Sequence, residues 1–345
     1  YTLKGEIMNQ TINVKVKFFA SLREKLGAKE VDIRLNDGAT LNSLLKHLRE
    51  KFGKPFQEYV FDENGNVDKK RLKRLVEFLI SKGIDGLYIC GSTGEGLLMN
   101  VEERKFVAEV VKEVAEDRVR IISHIGCLNT KDTIELAKHS ESIKLDGVSS
   151  IPPIYFRYTF EEIYEYYRRI AEATSLPFLI YYIPSATGIS LSNEKIAELS
   201  KIKNIIGLKY TDTDFYLLQD LLMRVKGRWI AFSGSDQMFL PGLTMGVVGC
   251  IGSTQNVLPE IFVGIYRNFK SGNIKKAMEL QEKITRAVSL LKKYGSIYVW
   301  KTALKFRGID VGFCRSPIKE KLSQKEEERL KREWKENFPE FSETI

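Results

Sequence analysis

The sequence has few of the residues that build metal centres and disulfide frameworks. Its 345 residues include only three histidines and four widely spaced cysteines, without a Cys-x-x-Cys pair. The cysteines are Cys90, Cys127, Cys250 and Cys314. This spacing predicts neither a zinc site nor a set of disulfides. We therefore expect a protein without a metal ion.

Long hydrophobic runs are also missing. No apolar stretch approaches the roughly 18 residues of a membrane span, and residues 1–6 lack the basic flank and apolar core of a signal peptide. We expect a cytoplasmic protein that does not bind membranes. The formal net charge of +9 raises the question of nucleic acid, but lysine and arginine are interleaved with glutamate along predicted helices, as at 325–332. That pattern is typical of a solvated helical surface, so no nucleic-acid partner is expected.

The first sixty residues differ in pattern from everything that follows. Residues 14–20 and 31–35 alternate like strands around Gly27, and Thr40–Phe52 has helical spacing with Thr40 as an N-cap. Two strands and a helix form half of a β-grasp unit. Residues 9–60 resemble the first half of the sulfur-carrier proteins of molybdopterin synthesis, which have a ubiquitin-like fold. The later strands and the terminal Gly-Gly of those proteins are absent, so no function is carried over.

From residue 61 to residue 272, predicted strands alternate with predicted helices. The strands are expected near residues 86–90, 119–125, 147–151, 178–182, 205–209, 229–232 and 247–251. The helix before the first of them spans about 67–82, and the others begin near 101, 131, 160, 193, 214, 237 and 259. Such alternation predicts a parallel sheet with helical crossovers. A dinucleotide-binding sheet is less well supported, because no Gly-x-Gly-x-x-Gly follows the first strand.

We therefore predict an α/β protein with a (β/α)₈ TIM barrel, followed over residues 273–345 by a C-terminal helical extension. The extension is expected to contain helices near 273–292, 296–306 and 323–334, which pack on the barrel or on a partner. An eighth barrel strand has to precede residue 62, and only Leu3–Met8 or Val14–Phe19 can supply it. We assign residues 1–8 as a remnant of this strand, which the β-grasp-like segment interrupts.

Polar motifs follow the carboxyl ends of the predicted strands, where the active sites of such barrels lie. They are Gly-Ser-Thr-Gly-Glu at 91–95, Tyr-Tyr-Ile-Pro at 181–184, Lys-Tyr-Thr at 209–211, Gly-Ser-Asp-Gln at 234–237 and Gly-Ser-Thr at 252–254. Each motif alone is an ordinary turn, cap or core element. Five of them on one rim indicate a shared site.

Lys209 is the only cation at the end of the apolar strand 205–209. A lysine there can place its stem in the core and its ammonium in water. It can also be buried as a neutral amine that attacks a carbonyl carbon. An unperturbed lysine, with a pKa near ~10.4, is almost wholly protonated at neutral pH, and burial disfavours the charged form. The polar residues on the same rim favour the second interpretation.

The combined motifs resemble the pyruvate-dependent class I aldolase superfamily that includes N-acetylneuraminate lyase and dihydrodipicolinate synthase. The resemblance covers about residues 61–334. The lyase branch is matched by Tyr181-x-Ile-Pro-Ser-Ala-Thr-Gly188, Gly207-Leu-Lys-Tyr-Thr-Asp212 and Gly252-Ser-Thr-x-Asn256. The synthase branch usually has an arginine shortly after its Tyr-x-x-Pro, where this chain has Ser185-Ala186-Thr187.

The resemblance implies a role for each site residue. Lys209 forms an imine with the keto acid, and Tyr181 moves the proton of the substrate hydroxyl. Ser92 and Thr93 hold the pyruvate carboxylate. The hydroxylated tail is bound by residues that match Thr211, Gly234, Asp236, Gln237 and Ser253. No metal or organic cofactor is implied, and a homotetramer is expected.

Two departures from the lyase pattern leave alternatives open. Gln237 stands where the lyases usually have glutamate, and an amide lacks the charge-assisted grip on a polyol. We therefore expect a lyase that converts N-acetylneuraminate to N-acetylmannosamine and pyruvate, with a 2-keto-3-deoxygluconate-type aldolase as the alternative. Because the first barrel strand is interrupted, a non-catalytic barrel scaffold is a further alternative.

Overall fold

The computed structural model describes residues 11–17, 26–36, 38–52 and 67–342. The chain divides into two compact units, Tyr1–Asp68 and Lys69–Ile345. The predicted strand remnant at 1–8 and the predicted domain boundary at 60–61 lie outside the described residues, so both stay predictions.

The first unit contains the predicted strand–strand–helix arrangement. Strand β1 (Thr11–Lys17) pairs antiparallel with β2 (Glu30–Asn36), and helix α1 (Leu41–Phe52) follows. Alternate residues of β2, including Ile33, are buried in a small core that also contains Leu48 of α1. Because Val14–Lys17 belongs to this hairpin, Val14–Phe19 is excluded as one of the two candidates for the first barrel strand. The other candidate, Leu3–Met8, lies outside the described residues.

The second unit is built on one parallel sheet of seven strands, whose spatial order follows the chain. These strands are β3 (Gly86–Ile89), β4 (Arg120–His124), β5 (Gly147–Ser150), β6 (Phe178–Tyr182), β7 (Ile205–Tyr210), β8 (Ile230–Ser233) and β9 (Gly249–Cys250). Each strand lies within a few residues of its predicted position, so the α/β barrel architecture is confirmed. Between β9 and β3 the described part of the chain places no strand.

Helices connect successive strands and cover the outside of the sheet. They are α2 (Lys69–Ser81), α3 (Val101–Ala115), α4 (Thr130–Ser142), α5 (Phe160–Glu172), the short α6 (Pro184–Thr187), α7 (Asn193–Leu199), α8 (Phe215–Arg224), α9 (Phe239–Thr244) and α10 (Pro259–Lys270). Several begin at side-chain caps that the sequence supplies. Asn100 and Glu103 form a capping box at α3, for example, and Thr159 and Glu162 form one at α5.

The main core lies between the sheet and its helices. It contains Phe178 of β6, Leu208 of β7 and Ala231 of β8, all fully buried, together with Tyr167 and Ile265 from the helices. Side chains on the opposite face of the strands point into the barrel. This alternation across the strands directs Lys209 away from the helices, although Leu208 and Tyr210 on either side of it pack against them.

The C-terminal extension consists of α11 (Ile274–Tyr294), α12 (Ile297–Lys305) and α13 (Gln324–Asn337). Helix α11 packs against α10, and the ring of Trp334 of α13 contacts the rings of Phe306 and Phe338. The prediction that these helices pack on the barrel is confirmed. None of the helices in the described ranges is long and apolar enough to span a bilayer.

Candidate active site

The register of the parallel strands brings the predicted catalytic pair together. Tyr181 of β6 and Lys209 of β7 are direct cross-strand partners. Both side chains are buried, with relative exposures of 2% for Tyr181 and 6% for Lys209. The interpretation in which the Lys209 ammonium extends into water is therefore wrong.

The Lys209 amine lies against aromatic rings. Its Nζ is 3.7 Å from the ring centroid of Tyr181 and 4.6 Å from that of Tyr88. Ring faces attract a cation, so they can accommodate a positively charged nitrogen at this position, whether an ammonium or an iminium. The short distances also fix the position of Nζ next to the phenol of Tyr181.

The ring of Tyr181 is held on two sides. Tyr88 contacts it edge to face at a centroid distance of 5.9 Å, and His124 does so at 5.7 Å. The Tyr181 hydroxyl shares a hydrogen bond of 3.2 Å with Ser92 Oγ. Packing fixes the ring and leaves the hydroxyl to exchange protons, which is the arrangement that a proton shuttle needs.

Ser92 and Thr93 lie on a tight turn after β3. The turn is closed by the N–H of Glu95, which donates to the carbonyl of Ser92 at 3.1 Å. A Cβ on Gly96 would stand 1.8 Å from the carbonyl oxygen of Cys90, so only glycine fits there. Thr93 Oγ1 lies 2.6 Å from Ser253 Oγ of the loop after β9. The hydroxyls of the turn thus face the same rim as Lys209 and are suited to bind a carboxylate.

Asp236 and Thr211 supply polar atoms on the β7–β9 side of the rim. Asp236 is 7% exposed, its Oδ2 accepts the N–H of Thr254 at 2.8 Å, and its Oδ1 has no partner among the described residues. Thr211 Oγ1 is likewise buried without one. Burial raises the pKa of the Asp236 carboxyl above its usual value. Buried polar atoms without partners are costly, so these two are positioned to bond a ligand.

The remaining predicted residues also lie on this side. Gly234 approaches Thr211 so closely that a Cβ would stand 1.8 Å from Thr211 Oγ1, which explains the glycine. Gln237 and Ser253 are partly buried. The structure therefore places all nine predicted site residues at the carboxyl ends of β3, β6, β7, β8 and β9.

Sequence reasoning missed Tyr88, His124 and Arg104. His124 is 2% exposed and ends β4 beneath the site, with Nδ1 3.1 Å from the carbonyl of Cys90. The buried Arg104 donates to the carbonyls of His124 and Gly126. Burial, reinforced by the nearby guanidinium of Arg104, holds the pKa of His124 well below its usual range. His124 is therefore a neutral ring that supports Tyr181.

The described residues hold no group of three or more His, Cys, Asp or Glu side chains arranged for a metal ion. The buried lysine, the tyrosine and the hydroxyl-bearing turn do not need one to form an imine. The rim brings together a buried amine, a phenol and hydroxyl groups, which are the kinds of group that imine chemistry uses.

A parallel α/β barrel with a buried lysine on its catalytic rim is the architecture of the class I aldolases. Within that class, the chain belongs to the dihydrodipicolinate synthetase family, whose model matches residues 56–336. An N-acetylneuraminate lyase of Clostridium perfringens is 36% identical over 261 residues, which are 75% of this chain and 90% of that protein.

Two solved structures extend the comparison. The Clostridium difficile protein CdNal, solved in complex with mannosamine, is 33% identical, covers 81% of this chain and 95% of its own, and has a TM-score of 0.76. A catalytic lysine mutant of the Ruminococcus gnavus sialic acid aldolase is 30% identical over 81% of this chain and 94% of its own, with a TM-score of 0.77.

Proposed function

We propose that this protein is a Schiff-base-forming lyase that releases pyruvate from a 2-keto-3-deoxy sugar acid, most readily N-acetylneuraminate. The observation that carries the proposal is the buried Lys209, whose Nζ lies 3.7 Å from the ring of Tyr181 on the rim that also holds Ser92 and Thr93. The relatives named N-acetylneuraminate lyase and sialic acid aldolase support it.

The proposed reaction starts when the neutral amine of Lys209 attacks the keto carbon C2. Tyr181 gives its phenol proton to the leaving hydroxyl of the carbinolamine that results, so that water departs and a protonated imine forms. The Tyr181 phenolate then accepts the proton of the C4 hydroxyl, the C3–C4 bond breaks, and the electron pair of that bond moves to the imine to give an enamine. The aldehyde product departs, Tyr181 returns the proton to C3, and hydrolysis of the imine, with the phenolate accepting a proton of the attacking water, releases pyruvate and restores the lysine and the phenol. The enamine replaces a free carbanion, which lowers the barrier to cleavage.

Different residues around the reacting centre bind the two ends of the substrate. Ser92 and Thr93 bind the carboxylate next to the keto group through hydroxyls and main-chain N–H groups. The free oxygens of Asp236 and Thr211, together with Gly234, Gln237 and Ser253, bind the hydroxylated tail. A carboxylate that accepts hydrogen bonds from hydroxyls gives stronger bonds than a neutral acceptor does.

Gln237 is the reason to retain a 2-keto-3-deoxygluconate-type aldolase as the second candidate. Its side chain is partly buried beside Asp236, and its amide binds a polyol without the charge of a glutamate. Gln237→Glu is expected to raise kcat/KM for N-acetylneuraminate relative to that for 2-keto-3-deoxygluconate by about tenfold. This factor corresponds to the free energy of one added charge-assisted hydrogen bond. An unchanged ratio would remove Gln237 from the specificity argument.

The test of the proposed function is a product assay on purified protein. With N-acetylneuraminate, we expect pyruvate and N-acetylmannosamine in equal amounts, and no product with Lys209→Ala. Release of pyruvate from 2-keto-3-deoxygluconate alone would favour the second candidate. Absence of pyruvate from both substrates would contradict the lyase proposal and favour a non-catalytic scaffold.

We further propose that the active form is a cytoplasmic homotetramer, as the family resemblance implies. All four cysteines are free thiols, which suits a reducing compartment. Tyr155 and Phe156, which follow β5, are 87% and 68% exposed and offer apolar surface for contact between subunits. Size-exclusion chromatography with light scattering tests this; a monomer of 39.6 kDa would contradict it.

A further inference from the structure

We propose that helix α12 is a clamp that positions the two halves of the active site, which are carried by the loops that follow β3 and β9. Lys301 holds the turn that carries Ser92 and Thr93, and its neighbour Trp300 holds the loop that carries Ser253. This inference rests on the proposed function, because it assigns these two residues to the positioning of that site.

The first contact of the clamp is a buried ion pair. Lys301 Nζ lies 2.5 Å from Glu95 Oε1, and the Glu95 side chain is only 5% exposed. The other oxygen of Glu95 accepts the main-chain N–H of Arg315 at 2.5 Å. Glu95 has a left-handed backbone (φ 56°), and its own N–H closes the turn onto the carbonyl of Ser92. Any displacement of the Glu95 carboxylate is therefore transmitted to Ser92.

Arg315 reinforces the same attachment from the loop after α12. Its guanidinium donates to Glu103 Oε1 at 2.7 Å, and Glu103 also caps the helix that follows the turn. Lys301 donates in addition to the carbonyl of Phe313 at 2.6 Å. The turn after β3 is thus attached to the C-terminal extension through both main-chain and side-chain contacts.

The second contact of the clamp reaches the other end of the sheet. Trp300 Nε1 donates to Thr254 Oγ1 at 3.1 Å, and both residues are buried. Thr254 directly follows Ser253, and its N–H donates to Oδ2 of Asp236. Adjacent residues on a helix point about 100° apart, so Trp300 and Lys301 can reach different loops from one turn of α12.

In the parts of the chain that the structure describes, β3 pairs with β4 and β9 pairs with β8, and no strand pairing joins β3 to β9. The loops that follow β3 and β9 meet through the hydroxyls of Thr93 and Ser253, whose oxygens lie 2.6 Å apart. A single bond between neutral groups holds two loops weakly, and the contacts of α12 supply the further restraint on the same two loops.

Lys301 and Trp300 are therefore positioning residues. Lys301 acts on the carboxylate end of the substrate through Glu95, whereas Trp300 acts on the polyol end through Thr254. Loss of the first contact should weaken the binding of pyruvate itself, and loss of the second should affect the sugar acid while leaving pyruvate binding unchanged. A purely structural role would lower stability without separating these two effects.

The test compares variants of Lys301 in the full-length protein. Lys301→Met is expected to raise the pyruvate concentration for half-maximal borohydride trapping by about tenfold, because misplacement of a binding loop is felt at the reacting centre. Lys301→Arg, which keeps the cation, should restore most of the affinity. The matched control is Lys293→Met, which removes an ion pair of the same extension, Lys293–Glu333, away from the turn. It should leave trapping unchanged.

Hydrogen exchange separates the clamp from the proposed chemistry. Lys301→Met should speed amide exchange in peptides covering residues 91–98, and Lys293→Met should not, whether or not the protein cleaves sugar acids. Trp300→Phe should speed exchange at residues 252–256. Glu95→Gln, which keeps the acceptor for Arg315, replaces Lys301→Met if that variant does not fold.

The outcomes are distinguishable. If Lys301→Met speeds exchange near the turn but the unmutated protein is not trapped by pyruvate and borohydride, the clamp is supported and the proposed function is overturned. Unchanged exchange and a half-maximal concentration within about twofold of the unmutated value in Lys301→Met would overturn the clamp. The clamp would also be overturned if Lys293→Met changed trapping and exchange as much as Lys301→Met does.

Discussion

The Tyr181→Phe variant tests the proposed proton transfer, because it removes the hydroxyl of Tyr181 while keeping the packing around its ring. The substitution removes one oxygen and keeps the ring that packs on Tyr88, His124 and Lys209. The hydroxyl that is removed shares a hydrogen bond of 3.2 Å with Ser92 Oγ. Loss of one neutral hydrogen bond costs about 0.5–1.5 kcal/mol of stability. Ser92 is exposed and can bond water instead, so the folded structure should persist.

The effect on catalysis should be far larger. A positioned general acid–base typically contributes about 10²–10⁴ in rate, which corresponds to roughly 3–5.5 kcal/mol of transition-state stabilisation. We therefore expect kcat for pyruvate release to fall by that factor, measured by coupling pyruvate to lactate dehydrogenase. Imine formation with pyruvate, measured by borohydride trapping at long incubation, should remain detectable.

Tyr88→Phe is the matched control. Tyr88 also contacts Lys209, but its hydroxyl donates to Ser149 Oγ at 3.0 Å on β5. Burial raises the pKa of Tyr88 well above its usual value, so its phenol stays protonated and does not act as a base. We expect kcat within about tenfold of the unmutated protein. A loss equal to that of Tyr181→Phe, or a Tyr181→Phe variant within about threefold of normal kcat, would refute the assignment.

Two further predictions follow from the buried titratable groups. Because the pKa of folded His124 lies well below 6.5, the unfolded chain binds a proton there as pH falls below that value, and the folded chain does not. The free energy of unfolding in urea is measured at about pH 7.5 and about pH 5.5. Between these pH values, His124→Asn should lose less stability than the unmutated protein, by up to ~1.4 kcal/mol per pH unit below 6.5. Equal losses in the two proteins would contradict this. For Asp236, burial raises the pKa above 3.8, so ionisation costs stability as pH rises past that value. Asp236→Asn should raise Tm at neutral pH and lower kcat/KM for the sugar acid by about 10–100-fold; an unchanged kcat/KM would exclude Asp236 from substrate binding.

The position of the catalytic rim was predictable from the order of strands and helices in the sequence. Strands that alternate with helices pair in parallel, and parallel strands bring their carboxyl ends to one edge. That rule is enough to put Lys209 beside Tyr181 and to place Ser92 and Asp236 on the same rim. The boundaries were less exact: β9 is limited to Gly249–Cys250, where residues 247–251 were predicted.

Contacts between residues that lie far apart in the sequence were not predictable. Arg315 and Glu95 are 220 positions apart, and nothing in either local sequence indicates the other. His124 ends a predicted strand on the catalytic rim, but a single histidine after an apolar run does not reveal a buried neutral ring against Tyr181. Two candidates for the eighth strand stayed open because alternation in Val14–Lys17 fits an antiparallel hairpin as well as a barrel strand; the structure places these residues in the hairpin, and the assigned remnant at residues 1–8 stays a prediction.

The central claim is that Lys209 forms an imine with a keto acid, and borohydride trapping tests it directly. The unmutated protein is incubated with pyruvate, reduced and analysed by intact mass, with Lys209→Ala alongside. We expect one reduced pyruvate adduct per chain in the unmutated protein, located on Lys209 by peptide mapping, and none in the variant. Equal mass gain in the two proteins, or an adduct on another lysine, would contradict the claim.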